Sequence, residues 1–315
     1  MVNDRVPALR GVGHGVCQMK SHLRRFACRC ASAFQPPENG AVICAGMVRN
    51  EIDIIDSWIA HLNALFDQVI IYDHLSTDGT RERLHALAAQ LPKLDVREFD
   101  EPGHAQARLM NATLREVAAR QDRGWMFFLD ADEFIMTHSR REFLAVLERY
   151  RAATTIRLTW CNALPETGDG APRIGAGTRL SGWYVGPHLM PKIAVNLRYA
   201  AHVASISQGN HCAETPTRNR FCKVNALRLL HLPIRSRDQI SAKVAHGLAA
   251  NALIDRAGDC ATHWKAMAGE TGTDDLRRLA YNYGFTEGAQ PRPLDRTPPP
   301  ETISGPLSDH VPMEN

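Results

Sequence analysis

The sequence predicts an α/β protein with a mostly parallel central sheet and helices on both faces. Three observations lead there. From Gly40 short apolar runs alternate with segments of helical period. The connections between them are short, as in strand–helix–strand units. Asn50, Asp73 and Asp130 fall at or just past the ends of apolar runs, where ligands bind in sheets of this kind.

Taken in order, Ala41 to Met47 reads as a short buried strand. Glu51 to Leu65 reads as a helix, because Ile52, Ile55, Ile59 and Leu62 recur at three to four residues. Val69 to Tyr72 is a second strand. Ser76-Thr77-Asp78-Gly79-Thr80 is a turn whose Thr or Asp caps a helix from Arg81 to Gln90. Leu94 to Phe99 is a third strand, Ala105 to Arg120 a third helix, and Met126 to Leu129 a fourth strand. Past Arg141–Arg151 (helix) and Ile156–Trp160 (strand) the pattern loosens. Pro165 to Thr178 is rich in Gly and turn residues and reads as a loop. Leu227 to Leu232 is a strand. Ser236 and Gln239 form a capping-box pattern that opens a helix running to about Ala250.

The ends differ from the middle. Residues 1–39 carry Arg5, Arg10, Lys20, Arg24, Arg25 and Arg29, and Pro36-Pro37 closes them. They are expected to be a basic, disordered arm, with docking on an anionic membrane surface through Leu23, Phe26 and Phe34 as the other reading. Residues 286–315 are dominated by Pro and are expected to be a disordered tail. The body between them is residues 40–285.

Composition narrows the function. The net charge of +3 is too small to imply nucleic acid as a partner. No apolar run reaches the roughly 20 residues of a membrane helix, and no secretory signal is evident. The 8 cysteines are scattered; Cys28 and Cys30, the one close pair, match no zinc spacing. Reduced thiols in a cytosol are expected.

The most informative stretch is Trp125 to Phe134. A large apolar run leads directly into Asp130, Asp132 and Glu133. Carboxylates so close together repel unless something cationic lies among them. On an extended segment Asp130 and Asp132 point to one side. Such hard oxygens suit Mg²⁺ or Mn²⁺ carrying a substrate phosphate. A polar turn following a strand is the plainer alternative.

Four strand-end clusters then recur in order: Asn50-Glu51; Asp73 with Ser76 to Thr80; Gln106-Ala107-Arg108 with Asn111; and Asp130-Ala131-Asp132. In this order the chain resembles the nucleotide-diphospho-sugar transferases, specifically family-two-like glycosyltransferases, over roughly residues 40–250. It is similar to a soluble bacterial subgroup through Asp130 to Phe134, Gly209-Asn210-His211, and His231-Leu232-Pro233-Ile234-Arg235-Ser236. The resemblance implies the GT-A fold, a nucleotide-sugar donor, and a glycan or lipid-linked acceptor. It implies that Asp73 and Asp78 face the nucleoside, Asp130 the ribose and metal, and that Asp132 holds the metal on the diphosphate. The wider nucleotide-sugar-binding set is Asn50, Glu51, Asp73, Asp78, Arg108, Asp130, Arg235 and Lys243. Lys192 is a weaker phosphate candidate. His74 and Leu75 depart from the broader family's Asp or Asn and small residue. The Gln-x-x-Arg-Trp of processive synthases is missing.

Asp130, Asp132, His231 and His211 are the candidate metal ligands, with His231 preferred because it ends a strand at the same edge as the aspartates. The general base stays open among Glu166, Asp169 and Glu214. Trp160, Trp183 and Tyr184 are candidates for stacking on a sugar. The expected activity is metal-dependent and inverting transfer of one sugar in the cytoplasm. A nucleotidyltransferase, a phosphatase with an Asp-x-Asp nucleophile, and a non-catalytic nucleotide-sugar binder are the competing readings. The phosphatase is disfavoured, since its pair should follow the first strand and here follows the fourth.

Overall fold

A computed structural model of the chain describes residues 40–103, 105–166, 173–184, 191–215, 221–222, 227–252, 276, 280, 283 and 302–313. The basic arm, Asp169, and the side chains of Trp183 and Tyr184 lie outside that description.

The first half builds the expected strand–helix units: β1 (Ala41–Val48), α1 (Ile55–Leu65), β2 (Gln68–Asp73), α2 (Thr80–Ala88), β3 (Leu94–Glu98), α3 (Gln106–Ala118) and β4 (Gly124–Phe128). Strands β3, β2, β1 and β4 lie side by side and parallel. Their residues alternate between two cores, as a side-chain period of two demands. Val42, Cys44, Trp125 and Phe127 meet α1 through Trp58 and Leu62. Ala41, Ile43, Met126 and Phe128 face α3 through Met110 and Leu114. Gly46 is required on β1, because a Cβ there would sit 2.7 Å from the Leu129 carbonyl oxygen and 2.8 Å from the Trp58 ring.

The second half supplies β5 (Glu133–Met136), α4 (Arg140–Arg149), β6 (Thr155–Pro165), β7 (Arg179–Tyr184), β8 (Lys192–Asn196), β9 (Ser205–Ile206), β10 (Ala213–Glu214), β11 (Phe221–Cys222), β12 (Arg228–His231), α5 (Arg237–Ala252) and β13 (Thr302–Pro306). The expected parallel sheet is therefore the first four strands. Beyond β4 the sheet continues antiparallel through β8, β6, β7 and β13. Strand β12 lies between β6, parallel, and β5, antiparallel. The result is a mixed α/β fold.

The expectation of a disordered tail over 286–315 is corrected for residues 302–313. Thr302–Pro306 pairs with β7, and Leu307 and Val311 are buried in the main core. The Pro run dominates the local composition and outweighs these two apolar residues in a reading by composition. The tail also reaches α1, where His61 Nδ1 lies 2.9 Å from the Pro312 carbonyl oxygen.

Candidate active site

Parallel pairing brings the carboxyl ends of β1, β2 and β4 to one edge, with Val48 opposite Asp73 and Ala45 opposite Phe128. The loops leaving those ends are sewn together by side chains. Asn50 N–H donates to Ser76 Oγ at 3.0 Å, and Thr77 N–H donates to Asn50 Oδ1 at 2.8 Å. Glu51 N–H donates to Thr80 Oγ1 at 2.9 Å. Asp78 accepts from the Ile52 N–H at 3.1 Å and the Thr80 N–H at 3.0 Å. Both of its oxygens serve the turn, so this structure uses Asp78 to shape the site. Asn50, Leu75 and Asn210 have φ of 57°, 58° and 59°. For a residue like Leu75 the left-handed conformation costs about 1–2 kcal/mol, and no sequence signal announced it.

Asp73 is fully buried. One oxygen accepts from Arg81 Nε at 2.7 Å and from the Ser76 N–H at 3.3 Å. The other, Oδ1, is buried with no hydrogen-bond partner.

The chain turns immediately after β4, and the Glu133 N–H closes the turn on the Asp130 carbonyl at 3.1 Å. The expectation that Asp130 and Asp132 share one side of an extended segment is corrected by that turn. Asp130 accepts from Gln106 Nε2 at 2.9 Å and Lys192 Nζ at 2.5 Å. Asp132 accepts from Lys243 Nζ at 2.5 Å. Glu133 accepts from Trp160 Nε1 at 2.8 Å and from the Asp130 N–H at 3.0 Å, with Lys192 Nζ 3.5 Å away. The cationic partner that sequence reasoning required among these carboxylates is thus supplied in part by two lysines.

Arg235 completes this network. It is 2% exposed, and it grips both oxygens of Asp53 at 2.6 and 2.9 Å while also bonding Glu51. Glu51, Asp53, Asp130, Asp132 and Glu133 therefore face three cations, Lys192, Arg235 and Lys243. Burial raises the Glu133 pKa to about 8, with Asp130 and Asp132 adding to the effect and Lys192 opposing it. Burial likewise lifts Glu51 against the pull of Arg235 and Lys243. For Asp132 burial acts upward too, but the positive charge of Lys243 leads a set of neighbours that holds the carboxyl below its ordinary range. Lys192 is held up to about 12, since Asp130 and Glu133 outweigh its burial.

His231 ends β12 opposite both Glu133 and Asn162. Its Nδ1 lies 2.8 Å from Asn162 Oδ1. Asn162 donates its amide to the carbonyls of Ala280 and Tyr283, each at 3.0 Å, so its oxygen must face the imidazole. Nδ1 then carries the proton and Nε2 carries the lone pair. Nε2 faces Asp132 Oδ1 across 3.8 Å. Trp160 stacks on the ring with centroids 4.2 Å apart, and Tyr283 meets it edge-on at 5.3 Å. Burial lowers the pKa of His231 to about 3.

The other candidates lie elsewhere or are engaged otherwise. His211 Nδ1 is 3.3 Å from the Pro191 carbonyl oxygen, and its ring meets the far neighbour Trp160 at 5.7 Å. Arg108 is exposed and bonds Glu101. Glu166 is exposed beside Arg179 at 3.4 Å. Glu214 is exposed on β10 and accepts from Ser205 Oγ at 2.8 Å. Sequence reasoning missed Asp53, Arg81 and Asn162. The available signal for Asn162 was an amide set among the apolar residues Trp160, Cys161, Ala163 and Leu164.

Among the described residues no group of three or more His, Cys, Asp or Glu is arranged to hold a metal ion. The pair Asp132 Oδ1 and His231 Nε2 still fits one: a hard oxygen and an uncharged imidazole nitrogen face each other, and both are acceptors. Asp130 fits less well, because both its oxygens are already bonded.

Residues 47–167 match the family model described as Glycosyl transferase family 2. The chain is also similar to solved structures. A mannosyltransferase from Pyrobaculum calidifontis, in complex with GDP-Man and Mn²⁺, shares 16% identity over 85% of this chain and 79% of its own, with a TM-score of 0.41. GalNAc-T7 with UDP, GalNAc and Mn²⁺ shares 10% over 78% and 54%, with a TM-score of 0.38. Residues 1–349 of TarS from S. aureus share 12% over 79% and 75%, with a TM-score of 0.36. No curated protein matches the chain in sequence.

Proposed function

We propose that this chain, which carries a glycosyltransferase family 2 domain over residues 47–167, moves one sugar from a nucleotide-sugar donor to a glycan or lipid-linked acceptor, using a divalent ion. The observation that carries this reading is the pair of acceptors, Asp132 Oδ1 and His231 Nε2, facing each other at 3.8 Å beyond the ends of parallel strands. Two facing acceptors need a donor or a cation between them, and an ion bound to both would meet that need.

Asp132 and His231 would hold Mn²⁺ or Mg²⁺, with imidazole favouring the softer Mn²⁺. When bound, the ion would neutralise the charge that develops on the diphosphate leaving group. Asp130 is fixed in orientation by Gln106 and Lys192 and is suited to accept hydrogen bonds from ribose hydroxyls. The unmet Asp73 Oδ1 is suited to a nucleoside donor group. Asn50 and Asp78 maintain the loop beside it, and Arg108 remains a nucleotide-binding candidate from the sequence alone. Arg235 clamps the Glu51–Asp53 loop to the start of α5 and acts as a positioning residue.

Transfer is proposed to invert the anomeric carbon by a single displacement, in which a carboxylate takes the acceptor proton. Glu166, Asp169 and Glu214 remain the candidates for that base. The catalytic body is proposed to begin at about residue 40 and to include the strand at 302–306. No described helix is long and apolar enough to cross a membrane. Cytoplasmic work at a membrane face, aided by the basic arm, is part of the proposal.

The test is isothermal titration with UDP- and GDP-sugars, with and without Mn²⁺, followed by product analysis. Metal-dependent binding and release of nucleoside diphosphate are expected. Release of pyrophosphate from a nucleoside triphosphate and a sugar phosphate would instead identify a nucleotidyltransferase. Binding with no turnover would identify a binder.

A further inference from the structure

Lys243 occupies a telling position. It rises from α5, and its ammonium lies 2.5 Å from Asp132 Oδ2, on the carboxylate whose other oxygen faces His231. Its side chain is 23% exposed, whereas that of Asp132 is 4% exposed. The lysine is therefore the partner with room to move. Lys192, by contrast, is completely enclosed between Asp130 and Glu133. The base of α5 is fixed by the buried Arg235 clamp and by the Ser236 cap, where the Gln239 N–H donates to Ser236 Oγ at 3.1 Å. Tyr283 offers its ring 5.8 Å from the ammonium, a weak alternative station for a cation.

We propose that Lys243 is a resident counter-ion of Asp132 whose charge opposes an incoming divalent ion, and that the ammonium, loosened from Asp132 when the ion binds, then pairs with the donor's diphosphate. This rests on the metal reading given above and extends it to how metal and donor binding are coupled. A unit positive charge hydrogen-bonded to Asp132 repels a second cation arriving at the same carboxylate. An ion held by Oδ1 and His231 Nε2 draws charge from the carboxylate that the ammonium bonds through Oδ2, so metal binding alone weakens the ammonium's hold on its anion. When the diphosphate is present, the ammonium gains a second anion. Metal and nucleotide thus favour each other's binding, and by linkage the factor is the same in both directions.

The experiment is titration of Mn²⁺ into the full-length protein, followed by the free-Mn²⁺ resonance, alone and with saturating UDP or GDP in separate series. Wild type is expected to bind Mn²⁺ weakly alone and at least about fivefold more tightly with nucleotide, the low end of ordinary coupling. Lys243→Met should bind Mn²⁺ alone more tightly than wild type, and its coupling should fall toward unity. Lys243→Arg keeps the charge and should keep the weak binding of Mn²⁺ alone, which separates competition from a packing defect. Unchanged or weaker binding of Mn²⁺ alone by Lys243→Met would overturn the proposal, as would loss of folding in Met with tight binding in Arg. No Mn²⁺ binding by wild type under any condition would overturn the metal reading itself, a distinct outcome.

Discussion

Asn162 Oδ1 and His231 Nδ1 lie 2.8 Å apart, and that contact fixes which imidazole nitrogen is free. Because the Asn162 amide is committed to the carbonyls of Ala280 and Tyr283, it cannot flip to present a donor. Support of this kind orients a ligand and sets its tautomer. Asn162→Ala should therefore weaken Mn²⁺ affinity by roughly tenfold while His231 is intact. Unaltered metal affinity in Asn162→Ala would mean that His231 is held by its aromatic neighbours alone.

The two histidines should differ. His231 faces Asp132, while His211 lies across Trp160 and turns its Nδ1 to the Pro191 carbonyl. His231→Asn should cost about tenfold or more in Mn²⁺ affinity, as for a lost ligand, and His211→Asn should cost less. The reverse ranking, measured by titration of both variants, would transfer the ligand role to His211.

Replacing Asp132 by Ala should abolish metal-dependent nucleotide binding. From sequence alone a gain in stability is expected, through relief of like-charge repulsion. The structure changes that expectation, because Lys243 loses its anion when Asp132 is removed. The ammonium is partly exposed, so the cost is moderate, about 1–2 kcal/mol. Urea unfolding should show a small loss. A clear gain would show that repulsion among the carboxylates outweighs the Lys243 pair.

Arg235 should behave as a strut. It is buried between Glu51 and Asp53, and removing one member of a buried ionic set costs about 3–5 kcal/mol. Arg235→Met should lower the melting temperature sharply. Lys at this position retains charge but not the two-pronged grip on Asp53, and should recover part of the loss. If Arg235→Lys melts normally and loses only nucleotide affinity, the residue contacts the donor after all.

Most of the first half of the fold was legible because β1, β2 and β4 are buried on both faces and α1 and α3 keep a clear apolar period. The Asp-x-Asp was legible for the same reason: the apolar run of β4 ends directly at it. The partners of those aspartates were harder to read. Lys192 and Lys243 stand 62 and 111 residues away in sequence from the aspartates they bond. Nothing local to a surface-looking lysine says that a carboxylate will meet it. Asp53 likewise reads as a helix-start residue until Arg235 arrives from 182 residues away. The expected one-sided Asp130/Asp132 pair failed because period-two reasoning holds only within a strand, and β4 ends at Phe128. Residues 302–313 were obscured by the Pro run before them, although Leu307 and Val311 were visible as apolar anchors.

One of those hidden contacts gives a pH-dependent prediction far from the metal reading. His61 on α1 is completely buried. The Ile135 N–H donates to its Nε2 at 2.8 Å, and its Nδ1 lies 2.9 Å from the Pro312 carbonyl oxygen. Both nitrogens are thus satisfied only in the neutral form, with the proton on Nδ1. A second proton on Nε2 would face the Ile135 N–H. Burial lowers the pKa from 6.5 to about 4. The unfolded chain therefore binds a proton between those values that the folded chain does not. Stability from this residue is complete above pH 6.5 and is lost as the pH falls toward 4. The full effect is on the order of 3 kcal/mol. His61→Gln can still accept from the Ile135 N–H and donate to Pro312, but it does not titrate. Urea unfolding across pH 7 to 4 should show a stability slope reduced by about one proton in that variant. An identical slope in wild type and His61→Gln would mean that the folded chain protonates His61 as readily as the unfolded chain does, and that the tail's anchor on α1 is not pH-sensitive.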